Sequence, residues 1–461
     1  MESERPLKVC ILAPHFPPDF GWYGPGRDAM ELAYALFEKG HQPEIIACSE
    51  TLGAAQTHQD GFKVRRIKWL SEGRPNSISS HSLPRARVLM NLNLAAWRAF
   101  LAAYKETQFD IVDVSNYSAE SLLPSIIAEC PVVARQYDMN PEFLDKELSL
   151  IGDSGFKFEQ QISATLKSVA GRCAFAVATV GKDESPAAAE KQSVRLNYSI
   201  DAEDFSPDGL PALDTGERPT LLIHTAIQDS RYLNLISDVV LRIKKEIPDL
   251  WLTIVAHDTY SESSESELKD ELVKSNVTCD MVINHKMSRL LMPGLWRSSW
   301  CGLVLGWQRL SPYAILEPLS CAVPIIAETE KDLPGFLREA DLLLNPKEFN
   351  ADAIAEKLIA TLKNAEIRKT AGAKCRQYIL KEHCRNSNAD KTLQAYQQSI
   401  ENYKSVGRSR KTDTAERVLE LMKDLSSGLD QWLYDLLFIR SFRFKLSHWL
   451  RKFRQSETSI K

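Results

Sequence analysis

The chain has 461 residues, of which 44% are hydrophobic and 26% charged, and it carries a formal net charge of -4 with a pI near 6.2. This length exceeds what one hydrophobic core usually serves, so the sequence predicts two domains. The slightly acidic balance excludes a globally basic nucleic-acid binder, and nine scattered cysteines without a CxxC pair favour reduced thiols over a disulfide framework or a zinc site.

The first half of the chain alternates short apolar runs with helical patterns. The runs predicted as strands are Lys8 to Ala13, Gln42 to Ala47, Phe62 to Trp69, Ile111 to Val114, Pro131 to Arg135 and Phe175 to Val180. The helical patterns are Arg27 to Lys39, Leu83 to Lys105, Ala119 to Ala128 and Phe156 to Gly171. The polar segment Ser49 to Gly61 is predicted as a loop. This alternation predicts a doubly wound α/β domain.

Two places in this half carry candidate functional residues. Gly24 and Gly26 precede the first predicted helix, where glycines let backbone approach a ligand, although a loop that only turns the chain has the same composition. Arg135 ends a predicted strand, and its charged fork suits a phosphate or a carboxylate; a surface ion pair is the alternative. Tyr137 follows, and it is a poor base near neutral pH because a phenol titrates near 10. Its alternative role is packing against the cleft.

The second half repeats the pattern after a segment rich in proline, glycine and acidic residues, which marks a domain boundary near residue 208. Its predicted strands are Thr220 to His224, Leu250 to Ala256, Met281 to Asn284, Cys301 to Trp307 and Pro324 to Ala327. Its predicted helices are Tyr232 to Lys245, Leu268 to Lys274, Arg289 to Trp296, Pro312 to Cys321, Ala351 to Lys363, Ala365 to Lys381 and Ser387 to Tyr403. The sequence therefore predicts a second doubly wound domain over residues 209–404.

The stretch from Trp307 to Pro324 is the most informative part of the sequence. It predicts a helix that begins at the carboxyl end of a parallel strand, where free amides and the helix dipole favour an anion such as a nucleotide diphosphate. Glu317 lies five residues after Pro312, about a turn and a half along the helix. The carboxylate and the amides near Pro312, Tyr313 and Ala314 are therefore expected to face one ligand.

This stretch resembles the donor-binding signature of retaining GT-B glycosyltransferases, the group 1 or family-four-like enzymes. The matching residues are Pro312, Tyr313, Ala314, Leu316, Glu317, Leu319, Cys321, Val323 and Pro324. The segment GPGRDAMELAYALFEKGHQPEII resembles the first βα unit of the same group. The resemblance covers roughly residues 5 to 404 and implies two Rossmann-like domains that face each other across a cleft.

The chain departs from the family pattern at three positions. Arg309, or Gln308 if one residue is skipped, stands where the family has the first Glu of its Glu-x7-Glu motif. Tyr137 stands where the family has a His beside the reacting sugar. In the loop HTAIQDSRYLN only Arg231 supplies positive charge, where relatives carry an Arg and a Lys that neutralise the donor diphosphate. The donor-site motifs are thus degenerate.

The resemblance implies retaining transfer of a sugar from a nucleotide-sugar donor to a glycan, a lipid-linked acceptor or a small molecule. The donor is a substrate, no cofactor is implied, and no metal is expected because the sequence has no Asp-x-Asp or His cluster. The catalytic candidates are Tyr137, Arg135 and Arg309, and the donor-binding candidates are Gly24, Gly26, Arg231, Pro312, Tyr313, Ala314 and Glu317. The rival hypothesis is an inactive GT-B protein that acts as a binding or scaffold subunit. A sugar-nucleotide epimerase is disfavoured because the first domain matches transferases.

Residues 405–461 lie beyond the resemblance and predict a basic, amphipathic helical tail. Within 432–454 aromatic and basic residues alternate, which suits a helix lying on an anionic membrane surface; packing on the body or on a partner is the alternative. The sequence shows no signal peptide and no apolar run near the roughly 20 residues that cross a bilayer. We therefore expect a cytoplasmic protein, peripheral on the inner face of the membrane, with a role in polysaccharide biosynthesis.

Overall fold

The computed structural model describes residues 5–13, 16, 24–49, 55–59, 61–68, 84–116, 119–127, 130–137, 166–181, 193–226, 230–257, 265–274, 277, 279–284, 290–305, 312–327, 343 and 348–406. Of the predicted candidates, Gln308 and Arg309 lie outside these residues, and so does the tail beyond Val406. None of the described helices is both long enough and apolar enough to cross a bilayer.

The first domain contains an eight-stranded sheet in the order β3-β4-β2-β1-β5-β6-β7-β8, parallel except that β3 runs antiparallel to β4. Its strands are β1 Lys8–Leu12, β2 Gln42–Ser49, β3 Ala55–Gln59, β4 Phe62–Lys68, β5 Ile111–Ser115, β6 Val132–Tyr137, β7 Ala176–Val180 and β8 Ser193–Leu196. Its helices are α1 Gly24–Glu38, α2 Pro84–Thr107, α3 Leu122–Ile127 and α4, described over 166–173. The central strands are buried on both faces, which explains their nearly continuous apolar runs.

Two predictions for this domain are corrected by the structure. The segment predicted as a loop, Ser49 to Gly61, contains strand β3. That strand is AQTHQ, and its polar residues give no apolar alternation; it is held by antiparallel pairing at the edge of the sheet. Helix α1 begins at Gly24, earlier than predicted, so Gly24 and Gly26 form its first turn and are not part of a loop. Gly24 has a φ of 66°, a left-handed conformation that glycine adopts without strain.

The second domain contains a five-stranded parallel sheet in the order β11-β10-β9-β12-β13. Its strands are β9 Thr220–Ala226, β10 Trp251–His257, β11 Met281–Asn284, β12 Cys301–Leu305 and β13 Ile325–Ala327. Its helices are α5 Ser230–Glu246, α6 Glu265–Lys274, α7 Met292–Arg297, α8 Tyr313–Ser320, α9 Ala351–Lys363, α10 Ala365–Glu382 and α11 Arg385–Val406. The prediction of two doubly wound α/β domains is confirmed.

The last helix returns to the first domain, where it packs against α1 and β8. Arg385, at its start, forms ion pairs with Asp201, with Glu38 at 3.2 Å and with Glu31 at 3.6 Å. A single hydrophobic cluster also runs from β1 and α1 of the first domain to α8 and β13 of the second. The two domains are therefore joined by shared core as well as by the connecting chain.

Arg376 on α10 forms hydrogen bonds with the segment that connects the two domains and with the end of α8. Its guanidinium donates to the carbonyl oxygens of Ala202 at 2.7 Å, Phe205 at 2.9 Å and Ser320 at 2.9 Å. The first two carbonyls belong to the connecting segment, and the third ends α8. Helix α8 is thus held directly against the segment that joins the domains.

Helix α8 is also positioned by a close approach of α10. A methyl group at Gly372 would lie 2.1 Å from the carbonyl oxygen of Ala322, which follows α8 with a φ of 59°. We expect Gly372→Ala to lower the free energy of unfolding by about 1–3 kcal/mol, although Ala is favoured over Gly in a helix, because backbone must move to admit the methyl group. Urea denaturation measures this, with Lys374→Ala on the exposed side of α10 as the control. An unchanged midpoint for Gly372→Ala would contradict the close contact.

Candidate functional site

The candidate site lies where α1 of the first domain meets α8 of the second. Helix α1 follows β1, and the chain pairs β1 with β2 on one side and later with β5 on the other. Helix α8 follows β12, which adds to the side of β9 opposite β10. Both helices therefore follow strands at a switch point of their sheet, where open parallel sheets bind ligands beyond the carboxyl ends of the strands.

The start of α8 has the features of an anion site. Tyr313 and Ala314 form its first turn, and Pro312 at the N-cap makes no side-chain hydrogen bond. Amides in a first helical turn have no carbonyl partner inside the helix, and the dipole adds partial positive charge. Glu317 lies one turn further along and is 1% exposed. The helix thus offers amides and a buried carboxylate close to one another.

Glu317 is engaged by an arginine from the other domain. The Nη1 of Arg27, in the first turn of α1, donates to its Oε1, and both side chains are almost fully buried. Arg27 Nε also lies 3.6 Å from the Oε1 of Glu31, one turn along α1. Burial lowers the pKa of Arg27, but the carboxylates of Glu317 and Glu31 outweigh it and leave the pKa raised. Arg27 is therefore a charged group held between two carboxylates.

Aromatic rings surround this ion pair. The Arg27 guanidinium lies over the ring of Tyr313, 4.0 Å from its centroid, and 5.3 Å from that of Phe205. Tyr313 contacts Tyr198 edge to face at 6.0 Å, and Tyr198 lies 6.3 Å from Tyr137 at the end of β6. These rings form a row from the first sheet to α8. Cation–π contact with a desolvated ring adds to the stability of the arginine in this position.

A second buried network of charged residues lies in the first domain, at the end of β6 and the start of α1. Arg135 forms two hydrogen bonds with Asp113, Nε to Oδ1 at 3.0 Å and Nη2 to Oδ2 at 2.7 Å, and its Nη1 lies 3.5 Å from Asp28. Tyr137 donates to Asp28 at 3.1 Å, and Tyr396 of α11 donates to Asp113 at 2.6 Å. The structure thus places Arg135 in a buried ion pair, neither exposed on the surface nor open to a phosphate.

The titration of this second network follows from its burial. Burial raises the pKa of Asp28, and Arg135 partly opposes that change. Burial and the neighbouring Asp28 raise the pKa of Tyr137 well above its usual value. Tyr137 therefore acts as a hydrogen-bond donor in the cleft and not as a base near neutral pH.

The other predicted residues fall into three groups. Gly24 and Gly26 lie in the first turn of α1, which the Arg27 contact brings beside Glu317. Arg231 lies in the first turn of α5, after β9, and its side chain is outside what the structure describes. Arg309 lies outside the described residues altogether. Within them, no three His, Cys, Asp or Glu side chains are grouped so that they could hold a metal ion.

Sequence reasoning missed the charged residues of α1 and their partners. Arg27, Asp28 and Glu31 are each 2% exposed or less, although they lie on a helix that reads as an ordinary amphipathic pattern. The sequence pattern that could have indicated them is a group of three charged residues that directly follows the glycines at the start of a helix. The partners Glu317 and Asp113 lie far away in sequence, so no local pattern identifies them.

No protein-family model matches the chain, and no curated protein is significantly similar to it in sequence. Solved structures do share its architecture. The sucrose-phosphate synthase of Thermosynechococcus elongatus matches with a TM-score of 0.59 and 14% identity, over 85% of this chain and 98% of that one. A glycosyltransferase from Rickettsia africae ESF-5 matches with a TM-score of 0.56 and 14% identity, over 86% and 100%.

A third similar structure, trehalose-6-phosphate from E. coli bound with UDP-2-fluoro glucose, has a TM-score of 0.56 and 10% identity, over 85% of this chain and 99% of that one. Identities this low show the fold and leave the activity open. The likeness covers 85% or more of this chain in all three comparisons. The chain therefore has the GT-B fold, two Rossmann-like domains facing each other across a cleft.

Proposed function

We propose that the chain is a retaining glycosyltransferase that moves a sugar from a nucleotide-sugar donor to a glycan, lipid-linked or small-molecule acceptor. One observation carries the proposal: Glu317 and the first turn of α8 lie together at the switch point of the second sheet and face the start of α1. In the GT-B fold this is the side of the cleft where strand ends and helix starts converge on a ligand.

Each part of the site has a role in this proposal. The Glu317 carboxylate accepts hydrogen bonds from the two ribose hydroxyls, since an ionised carboxylate has only acceptor positions. The amides of Tyr313 and Ala314, with the Gly24–Gly26 turn, face the phosphates. Stabilising the charge that develops on the departing diphosphate is then the main catalytic contribution, in which Arg231 and Arg309 would take part. Tyr137 lies on the acceptor side, with Arg135 in the buried network next to it.

The domains divide the substrates between them. Residues 1–208 hold the acceptor and residues 209–404 hold the donor, so closure of the cleft brings the two together and excludes water. The basic stretch 432–454 places the enzyme against the inner face of the membrane, where a lipid-linked acceptor would be presented. A cytoplasmic nucleotide-sugar pool supplies the donor in this arrangement.

A second candidate function is a GT-B protein that binds or scaffolds without catalysing transfer. Three contacts favour it: Glu317 is held by Arg27, Arg135 is held by Asp113, and Tyr137 is bonded to Asp28. In each case a side chain predicted to meet substrate has a protein partner instead. Such contacts would stabilise a closed shape that needs no substrate.

Isothermal titration with UDP-, GDP-, ADP- and dTDP-sugars separates the two functions. We expect one donor to bind at micromolar concentration and Glu317→Ala to weaken its binding by about 10- to 100-fold, because a charged acceptor of two hydroxyl hydrogen bonds is lost. Glu356→Gln, at an exposed position of α9, is the matched control. A folded wild-type protein that binds none of the donors would leave the scaffold function as the better account.

A further inference from the structure

Arg27 makes much less use of its guanidinium than a buried arginine usually does. Only Nη1 donates a hydrogen bond among the residues that the structure describes, while Nε and Nη2 are buried without a hydrogen-bond acceptor there. The Oε2 of its partner Glu317 has no hydrogen-bond donor in the same set. Leaving buried polar atoms unsatisfied costs about 1–3 kcal/mol for each group, so such sites need an explanation.

Arg135 shows what a structural arginine looks like in the same molecule. It is buried to a similar degree, yet it binds Asp113 through two parallel hydrogen bonds and approaches Asp28 with its remaining nitrogen. That geometry satisfies the guanidinium with protein groups alone. Arg27 makes one hydrogen bond and an ion pair at 3.6 Å with Glu31, so its Nε and Nη2 remain available to an additional acceptor.

The surroundings of Arg27 identify the kind of acceptor. Its guanidinium lies 4.0 Å from the ring of Tyr313, the first residue of α8, and so it stands at the positive end of that helix. The nearby Glu31 is shared with Arg385, whose Nε lies 3.6 Å from it. Glu317 is therefore the carboxylate that chiefly compensates Arg27. A guanidinium next to a helix N-terminus favours an anion with several oxygens, such as a diphosphate.

We propose that Arg27, from the first domain, is the cation that binds the donor diphosphate, and that the diphosphate displaces Glu317 from it. The released carboxylate then accepts the ribose hydroxyls. The contact seen between Arg27 and Glu317 is the ligand-free arrangement of two ligand-binding groups, in which each compensates the charge of the other. This inference rests on the proposed nucleotide-sugar site and adds a residue contributed from the opposite side of the cleft.

The proposal predicts that two variants, Arg27→Gln and Glu317→Gln, have opposite effects on the binding of three probes. The probes are inorganic pyrophosphate, the nucleoside diphosphate that binds best among UDP, GDP, ADP and dTDP, and its nucleoside. We expect Arg27→Gln to weaken binding of pyrophosphate and of the diphosphate by about 10- to 100-fold, since charge-assisted hydrogen bonds are lost. The same variant should bind the nucleoside as well as wild type or better, because Glu317 is released. Glu317→Gln should do the opposite, with tighter pyrophosphate binding and weaker nucleoside binding.

Two further variants control for nonspecific loss of charge and for misfolding. Arg242→Gln, which removes an exposed arginine of α5, should leave all three affinities unchanged. Arg27→Lys keeps a charge at the site and should fall between wild type and Arg27→Gln, so it replaces that variant if the glutamine protein does not fold. Diphosphate binding that is unchanged or tighter in Arg27→Gln would overturn this inference and leave the nucleotide site standing. If wild type binds no nucleotide, both proposals fail together.

Discussion

Arg135→Ala is expected to lower the free energy of unfolding by about 3–5 kcal/mol, because it leaves Asp113 and Asp28 buried without their cation. Replacing a whole buried ion pair can be harmless, but removing one partner is costly, since the remaining charge has lost both water and its counterion. Urea denaturation measures the effect. Arg242→Ala, which removes an exposed pair with Asp352, should change stability by less than about 1 kcal/mol.

This result would also decide the role of Arg135. The sequence makes it a candidate for phosphate binding, whereas its two hydrogen bonds to Asp113 make it part of the core. A variant with wild-type stability that no longer binds any donor would restore the ligand-binding role. Strong destabilisation, with the donor affinity of the remaining folded protein unchanged, would establish the structural one.

Acidification is expected to destabilise the protein through His383, which joins α10 to α11. The side chain is fully buried, and its Nδ1–H donates to the carbonyl oxygen of Tyr198 at 2.8 Å. Burial lowers the pKa of His383 from 6.5 to about 4, while the bond to Tyr198 acts in the opposite direction. On acidification the unfolded chain therefore binds the proton first. The stability from the neutral ring is complete above about pH 6.5 and is lost as the pH falls towards 4.

The expected loss is about 2 kcal/mol by pH 5 and about 3 kcal/mol by pH 4. Urea denaturation of wild type and of His383→Gln between pH 7.5 and pH 4.5 isolates it, because the carboxylates titrate alike in both proteins. The advantage of wild type over the variant should shrink as the pH falls. A constant difference across the range would show that the folded and unfolded states protonate His383 equally.

Much of the architecture was predictable because its determinants are local. Met281–Asn284 and Ala351–Lys363 have the predicted bounds, since apolar runs and helical spacing mark them without help from distant residues. Strand β3 was not predictable, because AQTHQ has no apolar alternation and the strand is recognised only by its backbone pairing with β4. Helix α1 begins three residues before its predicted start, because Gly24 and Gly26 are poor helix formers and the local pattern therefore excludes them.

The candidate site was predictable only in outline. Glu317 and the start of α8 stand out because a carboxylate interrupts an apolar helix that follows a strand. The guanidinium that meets Glu317 comes from a residue 290 positions earlier in the chain. The sequence contains nothing that pairs the two. Similarly, Arg135 is identifiable as a strand-end cation, but its engagement with Asp113 depends on the neighbouring strand and on Tyr396 from α11.

The return of α11 to the first domain has a consequence for synthesis of the chain on the ribosome. All eight strands of the first sheet have been synthesised once Leu196 is made, yet Asp113 receives a further hydrogen bond from Tyr396, 283 residues later. Asp201 likewise gains its ion pair only after Arg385 has been synthesised. Contacts of such long range are slow to form, so the nascent first domain lacks the bond from Tyr396 to Asp113 and the ion pair of Arg385 with Asp201 throughout translation of the second domain. Its final consolidation is post-translational.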